Sequence, residues 1–313
     1  MHASGPVRRL WSLPFVVGAA VLAAGGCKND SPPAGAPSAG SGSAGSGSAG
    51  SGSAAGSGSA GSGSAGSAAV APDFVVPTLA RAVGQTREAT EAFKLEGTVT
   101  EGGQPRPLLQ ASTATWRDQI LAMEGDVVTK LEVRYASQRQ QLQDQAERPG
   151  PMDGHTYTVA LDPETKKITV TRTDGKASPE EIGRVTQDFS DDVGVPPALG
   201  AVLAGTGFVK GTAVAIPADA LTAIIAVDGA RGRTFEMTLE ELTEDTARLS
   251  FVGETDIGMG KASVIAKVRG TLVLGRGDGW VRSLTTEADL EATGAKSFTG
   301  HQAGTQTYTY GTP

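Results

Sequence analysis

The sequence predicts an α+β domain, mostly a curved antiparallel β-sheet with one or two helices, preceded by a disordered linker. Three observations carry this expectation. From residue 93 onward, short runs rich in β-branched and aromatic residues recur between Gly, Pro and Asp punctuation. One stretch near residue 180 carries a complete helix-start signature. Residues 31 to 72 contain no charged residue and are almost wholly Gly, Ser, Ala and Pro. Regular short strands separated by turn signals argue for antiparallel pairing, whereas a polar small-residue tract has no apolar face to bury.

The expected strands are Phe93–Thr100, Leu108–Trp116, Thr129–Ser137, His155–Leu161, Lys167–Thr173, Thr234–Glu241, Ala247–Gly253, Ala262–Leu274 and Trp280–Ala292. His155–Leu161 and Lys167–Thr173 form the clearest hairpin. Tyr157, Val159 and Leu161 alternate on one face, Ile168 and Val170 alternate on the return strand, and Asp162-Pro163 marks the turn. Phe235, Met237 and Leu239 alternate likewise against Leu249 and Phe251, which predicts a second hairpin. A third is marked by Gly275-Arg276-Gly277-Asp278-Gly279, read as a tight turn rather than a dinucleotide loop or an integrin-type tripeptide. Gly-Thr pairs at residues 97, 205, 211, 270 and 304 read as strand bends or starts.

Ser178-Pro179-Glu180-Glu181 is a capping box with Pro at the first helical position, and Ile182, Val185 and Phe189 continue it as an apolar stripe toward Gly194. A helix over residues 179 to 193 is expected. Ala198–Leu203 is expected to form a short apolar helix or turn, Asp73–Phe93 reads as weakly helical, and Ala218–Ala226 fits a helix or a buried strand.

At the amino terminus, a short basic stretch ending in Arg8-Arg9 is followed by the apolar run Leu10–Ala24, then by Gly25, Gly26 and Cys27. The run is shorter than the roughly 18 to 20 residues of a membrane-spanning helix and fits an export signal. Cys27 is the chain's one cysteine, which excludes an intramolecular disulfide and a thiolate zinc site. Ala24-Gly25-Gly26-Cys27 resembles the lipobox of bacterial lipoproteins, with Ala24 where Leu is usual. That resemblance implies lipidation of Cys27, cleavage before it and a stable anchor, each buried methylene contributing about 0.8 kcal/mol. Lys28 follows the lipidated position, which in that family points to the outer membrane when the cell has two. The expected organisation is thus a signal peptide (1–26), a lipidated Cys27 with a Gly/Ser/Ala linker (27–72), and a single β-rich domain (73–313). As a flexible coil, residues 31 to 72 reach roughly 35 Å on average and about 140 Å when fully extended.

Setting aside Arg8, Arg9, Lys28 and Asp30 leaves 24 basic and 33 acidic residues in the folded segment, a net charge of -9. A field of that sign repels phosphate backbones, so nucleic acid is not an expected partner. His155 and His301 lie in no metal-binding spacing, no Gly-x-Ser-x-Gly elbow occurs, and Glu240-Glu241, Glu244-Asp245 and Asp191-Asp192 read as solvated charge at element ends. Trp116, Trp280, Tyr135 and Tyr157 fit core positions better than a ligand surface. No cofactor is implied, and the chain is expected not to be an enzyme.

By element order over residues 93 to 313, the domain is similar to uncharacterised β-rich envelope lipoproteins and, more remotely, to half-barrel carriers of the LolA and LppX type. No motif carries that likeness, so it implies a half-barrel and transfers no function. The expected function is a non-catalytic envelope module, anchored to the membrane through Cys27, that binds an apolar ligand or a protein partner. A structural or surface-exposed module without ligand is the alternative.

Overall fold

The computed structural model describes residues 70–313 except 197, 219, 222–223, 225–229, 260–261 and 294–295. Cys27, the export signal and the Gly/Ser/Ala linker lie outside the described residues, as does most of Ala218–Ala226.

The described chain builds one wide antiparallel sheet. Its strands are β2 (Thr86–Glu101), β3 (Gln104–Glu124), β4 (Val127–Leu142), β5 (Arg148–Pro149), β6 (Thr156–Leu161), β7 (Ile168–Arg172), β9 (Ala213–Ala215), β10 (Ala230–Leu242), β11 (Thr246–Met259), β12 (Ala262–Gly275), β13 (Val281–Thr293) and β14 (Lys296–Gly311). The order across the sheet is β7-β6-β4-β3-β2-β14-β13-β12-β11-β10-β9, with β5 added to β4. Sequence neighbours pair almost throughout, and the one long closure sets β14 beside β2 in register from Gly311↔Thr86 to Lys296↔Glu101. A separate two-stranded ladder joins β1 (Phe74–Val75) to β8 (Gly207–Phe208). Two helices complete the fold, α1 (Pro179–Phe189) and α2 (Ala198–Leu203).

The antiparallel sheet with two helices agrees with the expectation, but the sheet is open and uncurled, which corrects the curved or half-barrel form. The physical reason lies in the cover. Inserted segments, rather than curling, bury the apolar face: α1 packs on β6 and β7, while β1, β8 and α2 contribute Phe74, Phe208, Leu199 and Leu203 to the core under β10–β14. Two apolar clusters result, one including Leu131, Val133, Tyr157, Val159, Val185 and Phe189, the other including Leu249, Phe251, Leu272, Leu284 and Phe298.

Asp73–Phe93 is not helical. Its second half is the start of β2, which receives ladders from both β3 and β14, and these outweigh a weak apolar spacing. The capping box forms as expected, Ser178 Oγ accepting from Glu181 N and Glu181 Oε2 accepting from Ser178 N at 2.7 Å. The helix ends at Phe189 instead of 193, and the chain turns through Gly194 at φ +81°. All three hairpins are present, with Leu161↔Ile168, Leu242↔Ala247 and Leu274↔Val281 nearest their turns.

Inner-face glycines make room for rings. A Cβ on Gly97 would sit 2.5 Å from both the Phe298 ring and Thr299 O, so the bare backbone lets Phe298 lie flat across β2 and β14.

The two halves meet at a buried ion cluster. Arg81, from the segment leading into β2, reaches Asp192 Oδ1 at 3.0 Å, and Arg87 of β2 contacts Asp192 Oδ2 and Asp118 Oδ2, each at 2.8 Å. This corrects the reading of Asp191-Asp192 as solvated: both are buried. Burial works against the Asp192 charge, but Arg87 and Arg81 outweigh it and hold the carboxyl below its ordinary range. Removing one partner of a buried pair leaves uncompensated charge, at a typical cost of 3–5 kcal/mol. Asp192→Asn should therefore lower unfolding stability by about 3 kcal/mol in urea titration, and a change under about 1 kcal/mol would show that the cluster contributes little.

Candidate functional site

The alternation that buries apolar residues at both ends of the sheet turns polar in the middle. Pairing places Gln138, Ala114, Glu91, Gln306 and Leu284 in one inward-facing row across β4, β3, β2, β14 and β13. The next row is Gln140, Ser112, Phe93, Gly304 and Thr286, and the third is Leu142, Gln110, Leu95, Gln302 and Ala288. Five carboxamides and two hydroxyls here are unusual cargo for the covered face of a sheet, because a buried polar group without a partner costs free energy.

Above β3 and β4, this polar patch opens into a cleft of about 330 Å³. Gln110, Ser112, Gln138 and Gln140 form its sheet wall, while Glu180, Gly183, Arg184 and Gln187 form its helix wall. The helix residues recur at the i, i+3, i+4, i+7 spacing of one helical face, so α1 presents Val185 and Phe189 to the core and this polar stripe to the cleft. Gly183 sits in the middle of the stripe, with nothing within 4 Å of where a Cβ would be. A helix-weakening residue thus keeps the cleft open. Leu142, Pro151 and Pro179 add apolar surface.

Gln138 fastens the loop that bears Pro151. Its N donates to Asp153 Oδ1 at 2.7 Å, its O accepts from Gly150 N, and its side-chain Oε1 accepts from Met152 N at 3.1 Å. The other end of α1 is held by Glu181, which accepts from Tyr157 Oη at 2.5 Å and from Arg172 at 3.1 Å. Against the burial that would raise it, the Tyr157 and Ser178 hydrogen bonds and the Arg172 charge hold Glu181 down to about 2.

A second layer lies beneath the helix. Tyr135 Oη donates to Asp188 Oδ2 at 2.8 Å, Arg184 Nε lies 3.4 Å from Asp188 Oδ1, and Gln306 Nε2 donates to Glu91 Oε1 at 3.4 Å. Burial and the Asp188 charge push Glu91 up to about 8 from 4.5, so its carboxyl is largely protonated at neutral pH. Among buried side-chain atoms, Gln110 Oε1, Gln302 Oε1, Gln306 Oε1 and Thr286 Oγ1 have no hydrogen-bond partner.

The residues singled out from the sequence lie elsewhere. Tyr135 and Tyr157 are core residues in an edge-on ring pair with centroids 6.1 Å apart, and half-buried Trp116 packs against both apolar clusters. Trp280 pairs with Tyr310 at 4.6 Å. The two cavities beside Trp280, Tyr310 and the ion cluster are each about 30 Å³, room for a water or two rather than a ligand. His155 contacts Asp174 at 3.0 Å, and His301 contacts Asp289 at 2.9 Å. Among the described residues, no group of three or more His, Cys, Asp and Glu is placed to hold a metal ion. The cleft residues were missed because glutamines carry no chemical motif. The available signal was the polar stripe with a glycine inside an otherwise well-capped helix.

No family model matches the chain, and no curated protein matches it. Among solved structures it is similar to one of lipovitellin concerned with lipid–protein interactions, at a TM-score of 0.39 and 7% identity, covering 74% of this chain and 26% of that one. The chain thus spans about a quarter of that protein's length, and neither ligand nor function is carried over from it.

Glu91 sets a pH dependence whose sign follows from its shift. Between about 4.5 and 8 the folded protein keeps a proton that the unfolded chain releases, so this group makes stability fall as pH rises through that window. Glu91→Gln should remove a slope of up to about 1.4 kcal/mol per pH unit. Urea unfolding at pH 5, 6.5 and 8 checks it: equal slopes in both proteins would show that Glu91 ionises freely in the fold.

Proposed function

We propose that the protein is a lipid-anchored module of the cell envelope whose folded domain binds its target without transforming it, and that the cleft beneath α1 is the binding seat. The observation that carries this reading is the cleft itself, a cavity of about 330 Å³ lined by hydrogen-bonding side chains between the sheet and a helix closed at its start by a capping box. Its size lies within the usual range of ligand pockets. Of the two kinds of target expected, apolar ligand or protein partner, the carboxamide walls favour whichever brings hydrogen-bonding groups with it, since an apolar occupant would strand those groups out of water.

The anchor half of the proposal rests on Cys27 in its lipobox-like context and on Lys28, which favours the outer membrane in a two-membrane cell. Among the described residues, no helix is long and apolar enough to cross a membrane. The linker would let the domain work tens of ångströms from its anchor.

Mass spectrometry on the full-length protein purified from its own membranes tests both halves. The expected result is an amino-terminal peptide beginning at Cys27 and carrying acyl chains, with Cys27→Ser released to the soluble fraction. A native spectrum should also show a bound molecule. An unmodified Cys27 would overturn the anchor, and an empty domain that takes up no added ligand would overturn the binding role.

A further inference from the structure

We infer that the cleft beneath α1 is a saccharide site, taking a neutral polyhydroxylated ligand; this deepens the binding role proposed above and rests on it. The chemistry of the walls points this way. Gln110, Gln140 and Gln187 are planar groups that each donate and accept, as vicinal hydroxyls do, while the Oε1 of Gln138 is already committed to Met152 N. Gln110 lines the cleft and its Oε1, buried below the cleft surface, has no protein partner, so this wall is short of hydrogen-bond donors. Every hydroxyl of a sugar is such a donor.

Charge and shape narrow the class further. Arg184 is the cationic residue of the walls, and Asp188 at 3.4 Å already balances it, so an anionic ligand finds no uncommitted counter-charge there. Leu142, Pro151 and Pro179 supply small apolar facets among the amides, which suits a pyranose ring with its C–H faces and O–H edge. A purely apolar chain would leave the carboxamides unpaired, at about 1–3 kcal/mol for each buried group.

Gly183 provides a variant that does not compromise the fold. Methionine is a better helix former than glycine, and its side chain would project into the open space that Gly183 leaves. The experiment titrates the full-length protein in detergent with chitotetraose, maltotetraose, sodium dodecanoate and a glycine-rich decapeptide, read by native mass spectrometry. Parallel pelleting uses insoluble chitin and purified envelope glycan. The inference expects saturable binding of at least one tetrasaccharide, weakened at least tenfold by Gly183→Met and several-fold by Gln140→Ala, with thermal midpoints unchanged or, for Gly183→Met, raised. Retention on a polymer identifies a structural glycan as the source, and binding of free sugar without retention identifies a soluble oligosaccharide. Gly183-sensitive binding of dodecanoate or peptide, with no sugar bound, overturns the saccharide class and leaves the cleft as the seat. No binding by any probe, or binding indifferent to Gly183→Met, overturns the cleft itself.

Discussion

Two arginines from the chain that leads into the sheet, Arg81 and Arg87, converge on the carboxylate of Asp192, just beyond the end of α1, while Arg87 also contacts Asp118 on the neighbouring strand. These four side chains join the lead-in segment, β2, β3 and the helix that covers the amino-terminal meander. Because the sheet is open, nothing in its hydrogen bonding dictates where that helix sits. Its position is fixed by point contacts: Glu181 with Tyr157 and Arg172 at one end, Asp192 with the arginines at the other, and Val185 and Phe189 pressed on the core between them. The cleft inherits its geometry from those pins.

The inner face reads as a gradient. At both flanks the strands supply Leu, Val, Ile and Phe, and the hydrophobic effect accounts for the packing. Toward the middle, the same alternation delivers Gln, Ser, Thr and a protonated Glu. Such a surface contributes little apolar burial and costs desolvation, which is the pattern expected where stability yields to function. Glu91 illustrates the balance: its neutral form tolerates burial beside Asp188, whereas a second carboxylate charge there would not be compensated by the one nearby arginine.

Much of this fold was legible in the chain. Tyr157, Val159 and Leu161 against Ile168 and Val170 marked a hairpin that the fold contains, and Ser178 to Glu181 located the helix start. What escaped reading did so for a common reason. Strand β14 escaped because its inward positions are Phe298, Gly300, Gln302, Gly304, Gln306, Tyr308 and Tyr310, so glycines and amides break the apolar period even though the backbone alternates perfectly. Strand β3 runs to Glu124, well past the expected end at Trp116, because Asp118 stands where an apolar residue would mark continuation. The cleft residues were illegible as a site for the same cause: a polar residue in a strand reads as outward-facing until a partner strand shows which way it points. Asp191-Asp192 shows the converse, two adjacent acids that look solvated until the fold buries both and arginines over a hundred positions away close on Asp192.

The short ladder between β1 and β8 has a mechanical consequence. Phe74 and Val75 pair with only two residues, supplemented by Asp73 N to Phe208 O at 2.9 Å and Val76 N to Thr206 O at 3.0 Å. Tension applied to the chain ahead of Asp73 loads this small patch first, and reaches the twelve-stranded sheet through the packing of Phe74, Val76 and Phe208 on its core. If the patch gives way, the load passes along residues 77–80 to Arg81 and from there to Asp192, at the foot of the helix whose other face lines the cleft. The point where the chain enters the fold and the helix that walls the cleft are thus joined through a two-residue ladder and one ion pair.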